Sequence, residues 1–437
     1  MMGDAVLLMF PALIVLIALG IPIAFSMVLV ASVFGFIRFE EIVFRQFAQR
    51  VDEVASNYVL GAIPLFIFMG AILERAGIAE RLFDAIYMWT RRLPGGLAIA
   101  ALVMCTIFAA ASGVVGATET LVGMLAIPAM LKRKYDNSLI AGTICAGGSL
   151  GTVIPPSIPV IVLAPIMTLP VGDLMAGILV PGLMMAAMFS LYIIVSATLK
   201  PSLAPRDTDP DPFTMGEKIR FTLKALVPPV VLIALVLGTL FSGLATPTEA
   251  AACGSAGVLF LALCYGKLSF KMVLDASLQT VSLTAMILAI VLAGVMFSGV
   301  LFASGGMMAI RGFLDSFGFG TAGVIALILI ITFILGFAVE LTSIVLIMTS
   351  ISVPILKLYD VDLLWFSIVF LITLQTSYLT PPMAPSIFYL RAIAPPTMTL
   401  KQMYWGVIPF IICQLIVLAL VITFPELATW MPKLIYG

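Results

Sequence analysis

The sequence predicts an all-α integral membrane protein of two inverted-topology repeats, with ten crossings plus two re-entrant hairpins. Three observations predict it: a composition suited to lipid, a series of apolar runs near membrane length, and a 226-residue spacing that maps one half onto the other. Of the 437 residues, 62% are hydrophobic and 10% charged, where a soluble domain carries about 25% charged side chains. Lipid is therefore the main solvent.

Spanning helices need roughly 20 mostly apolar residues. Such runs occur at Ala5 to Gly20, Ile21 to Ile37, Val54 to Leu73, Leu139 to Pro165, Leu174 to Leu199, Phe221 to Phe241, Thr246 to Tyr265, Ser282 to Leu301, Leu363 to Tyr389 and Tyr404 to Phe424, which makes ten crossings. Two further stretches, Leu97 to Leu131 and Thr321 to Leu356, are interrupted by Ser112-Gly113-Val114-Val115-Gly116 and by Glu340-Leu341-Thr342-Ser343, and read as hairpins that dip in and return. The segment Lys200 to Arg220 is too polar for lipid and divides the chain into a first repeat at 1–205, a linker at 206–220 and a second repeat at 221–437. Met1 to Ile37 has no Lys or Arg before Arg38, so it reads as a retained membrane segment rather than a signal peptide.

The repeat is exposed by its prolines. Pro155-Pro156 falls on Pro381-Pro382 at 381 − 155 = 226, and the same offset carries Pro128 onto Pro354 and Pro159 onto Pro385. Each half holds five crossings and a hairpin, and an odd number reverses the second half in the membrane. Cytoplasmic loops carry excess Lys and Arg; with both termini outside, 16 of the 22 basic residues fall inside, including Arg91-Arg92 and Lys132-Arg133-Lys134 at the two ends of the first hairpin.

Function classes are narrowed by what is missing. The 22 basic and 22 acidic residues cancel, so no charge field points to nucleic acid. Histidine is absent, which disfavours a haem, zinc or proton-relay centre. The five cysteines lie in apolar runs without CxxC spacing and read as small packing residues. No phosphate-binding loop or nucleophile elbow occurs, so neither an ATP site nor an enzyme is expected.

The chemistry concentrates around the two proline pairs. Proline lacks a backbone donor and clashes with the preceding turn, so two in succession free several carbonyl oxygens. At membrane depth these are tolerated only where protein, water or an ion meets them, and with nearby hydroxyls they form neutral hard ligands for sodium. A lone proline pair would be a kink; its recurrence after matched hairpins favours a site. The first cage is assigned to Ser112, Gly113, Gly151, Ile154 and Ser157, and the second to Gly336, Ser377, Thr380 and Met383, mostly through carbonyls. Each hairpin tip is expected to meet the broken helix of its own half, with Thr152 and Thr342 facing substrate between the cages. Glu119, Glu249 and Glu340 are conspicuous intramembrane carboxylates. Glu340 at the second tip has two readings, a direct role in gating, ion or substrate binding and a carboxylate hydrogen-bonded to tip amides, and Glu249 is assigned to a helix cap. Arg391 has two readings, a partner for an anionic substrate and a snorkelling anchor.

With these residues in hand, the chain resembles the large membrane subunit of a tripartite ATP-independent periplasmic (TRAP) transporter. The resemblance rests on Ala62-Ile63-Pro64-Leu65-Phe66 with Gly70, on Ala111-Ser112-Gly113, on Gly151 with Ile154-Pro155-Pro156-Ser157, on Ala245-Thr246-Pro247-Thr248-Glu249-Ala250 and on Thr380-Pro381-Pro382, across essentially the whole chain. It implies a sodium-coupled importer of a small organic anion, a carboxylate or sulfonate, in the bacterial inner membrane, with sodium as coupling ion and no other cofactor. It further implies a mobile elevator-type transport domain sliding against a scaffold. The partners implied are a soluble periplasmic substrate-binding protein and a small four-helix membrane subunit, here on a separate chain because the sequence begins at the first large-subunit crossing. At the first tip, Val114 and Val115 stand where the family carries a small polar residue, which shifts coordination toward backbone oxygens. Two alternatives stand beside this reading: a stand-alone sodium-coupled anion carrier, and a membrane subunit of an enzyme complex.

Overall fold

The computed structural model describes residues 6–113, 115–206, 213–316, 318, 320–337 and 341–437, and every regular element among them is helical. The first half runs α1 (Met9–Ala18), α2 (Ile23–Phe39), α3 (Ile42–Ala55), α4 (Ala62–Arg75), α5 (Ile78–Thr90), α6 (Gly96–Ser112), α7 (Val115–Lys132), α8 (Asn137–Ser149), α9 (Ile158–Ile166) and α10 (Val171–Leu199). The second half runs α11 (Met215–Ala225), α12 (Val227–Phe241), α13 (Pro247–Cys264), α14 (Phe270–Ala303), α15 (Gly306–Ser316), α16 (Thr321–Leu335), α17 (Leu341–Leu358), α18 (Leu363–Leu379), α19 (Pro385–Ile393), α20 (Leu400–Thr423) and α21 (Glu426–Tyr436).

Six of these helices are long and apolar enough to span a bilayer, or seven if the bent pair α11 and α12 is one span. The protein is therefore multi-pass. Five of the ten runs are among the six, and the sixth is α17, an arm of the expected second hairpin. Helices α1 and α2 are shorter than a full span, Phe221 to Phe241 belongs to the bent pair, and the runs holding Pro155-Pro156 and Pro381-Pro382 are each divided into two short helices. Four connectors not read from hydropathy, α3, α5, α15 and α21, are amphipathic helices. The cysteines divide by position: Cys105, Cys145 and Cys413 are buried, whereas Cys253 and Cys264 lie exposed on α13, so the reading of all five as packing residues fails for these two.

The 226 spacing recurs in the helix boundaries. Adding it to α7 (115, 132) gives 341 and 358, the ends of α17, and adding it to the start of α8 (137) gives 363, the start of α18. The caps repeat as well. Asp136 accepts from the N–H groups of Ser138 and Leu139, and Asp362, 226 residues on, accepts from Leu364 and Trp365. A side-chain oxygen at that place satisfies amides that the first helical turn leaves open.

Packing sorts the helices into two sets, each drawing on both halves. One set joins α1 to α4 with α12, α13 and α14. The other gathers α6 to α10 with α16 to α20. They meet where α14 touches α17 and where α4 touches α6 and α9. Within the second set α8 and α20 approach closely, since a Cβ on Gly142 would stand 2.1 Å from the Gly406 carbonyl oxygen; small residues permit such contact without help from water. Helix α8 is buried from Leu139 to Ser149 and α18 from Phe366 to Leu379. The ends of these two helices are thus enclosed by protein rather than lipid.

Candidate functional site: two interrupted helices met by hairpin glycines

Helix α8 stops at Ser149, tightens into a 3₁₀ turn over Leu150–Thr152, and resumes as α9 only at Ile158. The interruption follows from Pro155 and Pro156, whose missing N–H groups leave preceding carbonyls without helical partners; the bond between them is cis. Side chains brace the gap: Ser157 Oγ donates to Thr152 O at 2.8 Å and Thr152 Oγ1 to Ser149 O at 2.9 Å. Among the described residues, no donor reaches the carbonyl oxygens of Val153, Ile154, Pro155 or Pro156.

The tip of the first hairpin rests on this gap. Gly113 ends α6 with φ +61° and its N–H on Ala109 O at 3.0 Å. A Cβ there would stand 2.9 Å from Pro156 O and 3.3 Å from Ile158 N, so only glycine fits both the backbone and the space. Ser112 is the last residue of α6.

The second half repeats the arrangement with different chemistry. Helix α18 ends at Leu379, the Pro381–Pro382 bond is cis, and α19 begins at Pro385. Thr380 Oγ1 donates to Thr376 O at 2.6 Å and Ser377 Oγ to Leu374 O at 2.7 Å. Gly336, at the end of α16, abuts Ser377: a Cβ there would fall 1.9 Å from Ser377 Oγ. Met383 is 46% exposed in the turn, and Tyr404 Oη donates to Pro382 O at 3.0 Å. Residue 404 − 226 = 178 is Ile178, so the first turn has no matching hydroxyl at that position.

The two gaps are joined through their own equivalents. Gln375 Nε2 donates to Ser149 Oγ at 3.1 Å, and 375 − 149 = 226, so corresponding positions of the two halves meet. Gln414 Nε2 of α20 reaches the same oxygen at 3.5 Å. These residues were not read from the sequence, although the offset places Ser149 against Gln375 and offered the signal.

Beyond their gaps, α9 and α19 cross over. Each follows its proline pair and packs on the second hairpin arm of the opposite half, α9 on α17 and α19 on α7. Gly113 and Gly336 thus meet the broken helices of their own halves, while the half-helices exchange.

Not every candidate converges. Gly151 and Ile154 are buried in the first gap and Thr152 beside it. Thr342 is buried on α17. Arg391 is exposed in the last turn of α19 and donates to Met398 O at 3.0 Å. Glu340 lies outside the described residues. Glu249 takes the expected cap role, with Oε2 accepting from Thr246 N at 2.8 Å in a capping box at the start of α13.

A family description, "Tripartite ATP-independent periplasmic transporter, DctM component", matches residues 10–427. The chain belongs to the DctM family of TRAP transporters. Among DctM relatives, the C4-dicarboxylate TRAP transporter large permease protein DctM of Pseudomonas aeruginosa is 30% identical over 391 residues, covering 89% of this chain and 90% of its own. The sialic acid TRAP transporter large permease protein SiaM of Vibrio cholerae is 27% identical, covering 96% of each. Among solved structures, the Alcanivorax borkumensis YdaH transporter, described as having an unusual topology, superposes with a TM-score of 0.66 over 98% of this chain and 100% of that one. At 14% identity that likeness concerns the fold of this DctM chain alone.

Proposed function

We propose that this DctM permease imports a small organic anion, a carboxylate or sulfonate, coupled to sodium held at the two interrupted helices. The observation that carries the proposal is the paired geometry: in each half, a hairpin glycine closes on the proline-interrupted helix, Gly113 on Pro156 in the gap and Gly336 on Ser377 in the last turn of α18. Free carbonyl oxygens and neighbouring hydroxyls make a neutral, hard donor set, suited to a monovalent cation and poorly suited to a softer transition metal. The first cage uses Ser112, Gly113, Gly151, Ile154 and Ser157, and the second uses Gly336, Ser377, Thr380 and Met383. Thr152, Thr342, Glu340 and Arg391 are the residues assigned to the anion.

In this reading the two halves are inverted repeats making ten crossings, with both termini periplasmic. The helices around α8 and α18 move as one unit against the α2, α4, α13 and α14 scaffold, in the manner of an elevator. The crevice of 270 Å³ where α14 faces α9 and α17 lies on the sliding surface. A periplasmic binding protein delivers the anion, and a small membrane subunit supports the scaffold. Relatives named for C4-dicarboxylates and for sialic acid, both carboxylates, support an anionic cargo.

The test is uptake into proteoliposomes holding the full complex, with binding protein outside and an inward sodium gradient. Uptake is expected to collapse when a sodium ionophore dissipates the gradient. Accumulation that persists without the gradient would refute sodium coupling, and accumulation without the binding protein would refute delivery.

A further inference from the structure

Glu119 is buried in the second set of helices. It sits on α7, fully enclosed, with Oε1 accepting from Ser386 Oγ of α19 at 2.7 Å. Its Oε2 is buried without a hydrogen-bond partner. The titratable neighbours are the thiols of Cys105 on α6 and Cys145 on α8, both buried. The charged side chains of α5, which also packs on α7, point outward at Glu80, Arg81 and Asp84. Arg391, the basic residue of α19, is exposed and donates to the Met398 carbonyl. No Lys or Arg among the described residues acts on the carboxylate.

The pseudo-equivalent interface makes the carboxylate more pointed. At the α9–α17 contact, the positions matching Ser386 and Glu119 are 386 − 226 = 160 and 119 + 226 = 345, both valines and both fully buried. Packing of a half-helix on a hairpin arm is therefore achieved with apolar side chains alone. At the Glu119 side, room has been made for the carboxyl: a Cβ on Gly148 would fall 1.8 Å from Glu119 Cγ, where the matching position 148 + 226 = 374 holds Leu374. An isolated carboxylate in such surroundings takes up a positive charge or is not tolerated. The acidic residue and thiols here do not form a cluster of three or more metal-ligating side chains, which points to a single monovalent charge rather than a divalent ion.

We propose that Glu119 Oε2 binds a monovalent cation, a proton or sodium, that neutralises the carboxylate and clamps α7 to α19. This site is additional to the two proline-turn cages and does not depend on them. Infrared difference spectra of the full-length chain, purified in detergent and compared between sodium and choline chloride, separate the two cations. A protonated-carboxyl C=O band that is absent from Glu119→Gln identifies a proton. A sodium-induced shift of a carboxylate band, also absent from Glu119→Gln, identifies sodium. Should that variant fail to fold, Ser386→Ala supplies the assignment, because removing the hydroxyl donor moves whichever band belongs to Glu119. An ionised carboxylate band assigned to Glu119 that responds neither to sodium nor to acidification would overturn the proposal. Sodium effects at the cages are read separately, from Gly113 variants, so failure there leaves this outcome legible.

Discussion

Replacing Gly113 by alanine separates the strain of a left-handed backbone from the contact that closes the first turn. Gly113 has φ +61° and Gly266 has φ +65°, but a Cβ at Gly113 meets Pro156 O at 2.9 Å whereas nothing lies within 4 Å at Gly266. Both substitutions carry the left-handed penalty of roughly 1–2 kcal/mol. Only Gly113→Ala also pushes the hairpin tip off the turn, an overpacking cost of about 1–3 kcal/mol. If that contact completes a sodium cage, the extra cost appears as weaker sodium binding. At about 1.4 kcal/mol per factor of ten, it corresponds to roughly a 5- to 150-fold rise in the sodium concentration for half-maximal uptake. Uptake into proteoliposomes across a sodium series, with both variants at matched incorporation, measures it. Equal half-saturation for Gly113→Ala and Gly266→Ala would refute the cage at the first tip, whatever their stabilities.

Further outcomes follow from the same geometry. Gly336→Ala should raise the sodium requirement at the second turn by on the order of tenfold, because its new Cβ collides with the Ser377 side chain. Ser149→Ala strips the shared acceptor from Gln375 and Gln414, and leaving buried amide donors unpaired should lower stability by about 1–3 kcal/mol, read by thermal unfolding in detergent. Thr246→Ala breaks the α13 capping box and should cost about 1 kcal/mol in the same assay while leaving sodium half-saturation unchanged. A change in half-saturation there would place α13 in the ion site, against its position beside α4.

The membrane class and the position of each interrupted helix were legible in the sequence because their causes are local. Low charge selects lipid, and consecutive prolines cannot be carried in a helix interior without lost hydrogen bonds. Even the equivalence of Asp136 and Asp362 as caps is implicit in the 226 offset. The amphipathic connectors were less accessible. In α3, apolar Val43, Phe47, Val51 and Val54 are interleaved with Arg45, Arg50, Asp52 and Glu53, so an average over the window hides what a helical period would reveal. What no local rule supplied was pairing across the halves. The offset states that α9 and α19 correspond, not that each rests on the other half's hairpin, and a buried Ser149 bonded to Gln375 requires knowing that the two gaps face each other. Glu119 stood out as an intramembrane carboxylate, but its partner Ser386 is 267 residues away.

The exchange of half-helices has a consequence for how the protein is made. When the ribosome has delivered α9, the surface it finally covers belongs to α17, still about 180 residues from synthesis at about 5–20 residues per second. The first half must therefore dwell in the membrane for tens of seconds or less with that face open to lipid or to insertion chaperones, whereas α19 finds α7 already in place. Chains truncated in the polar segment after Leu199 should on this account be cleared by membrane proteases, and co-expression of the missing half should rescue them.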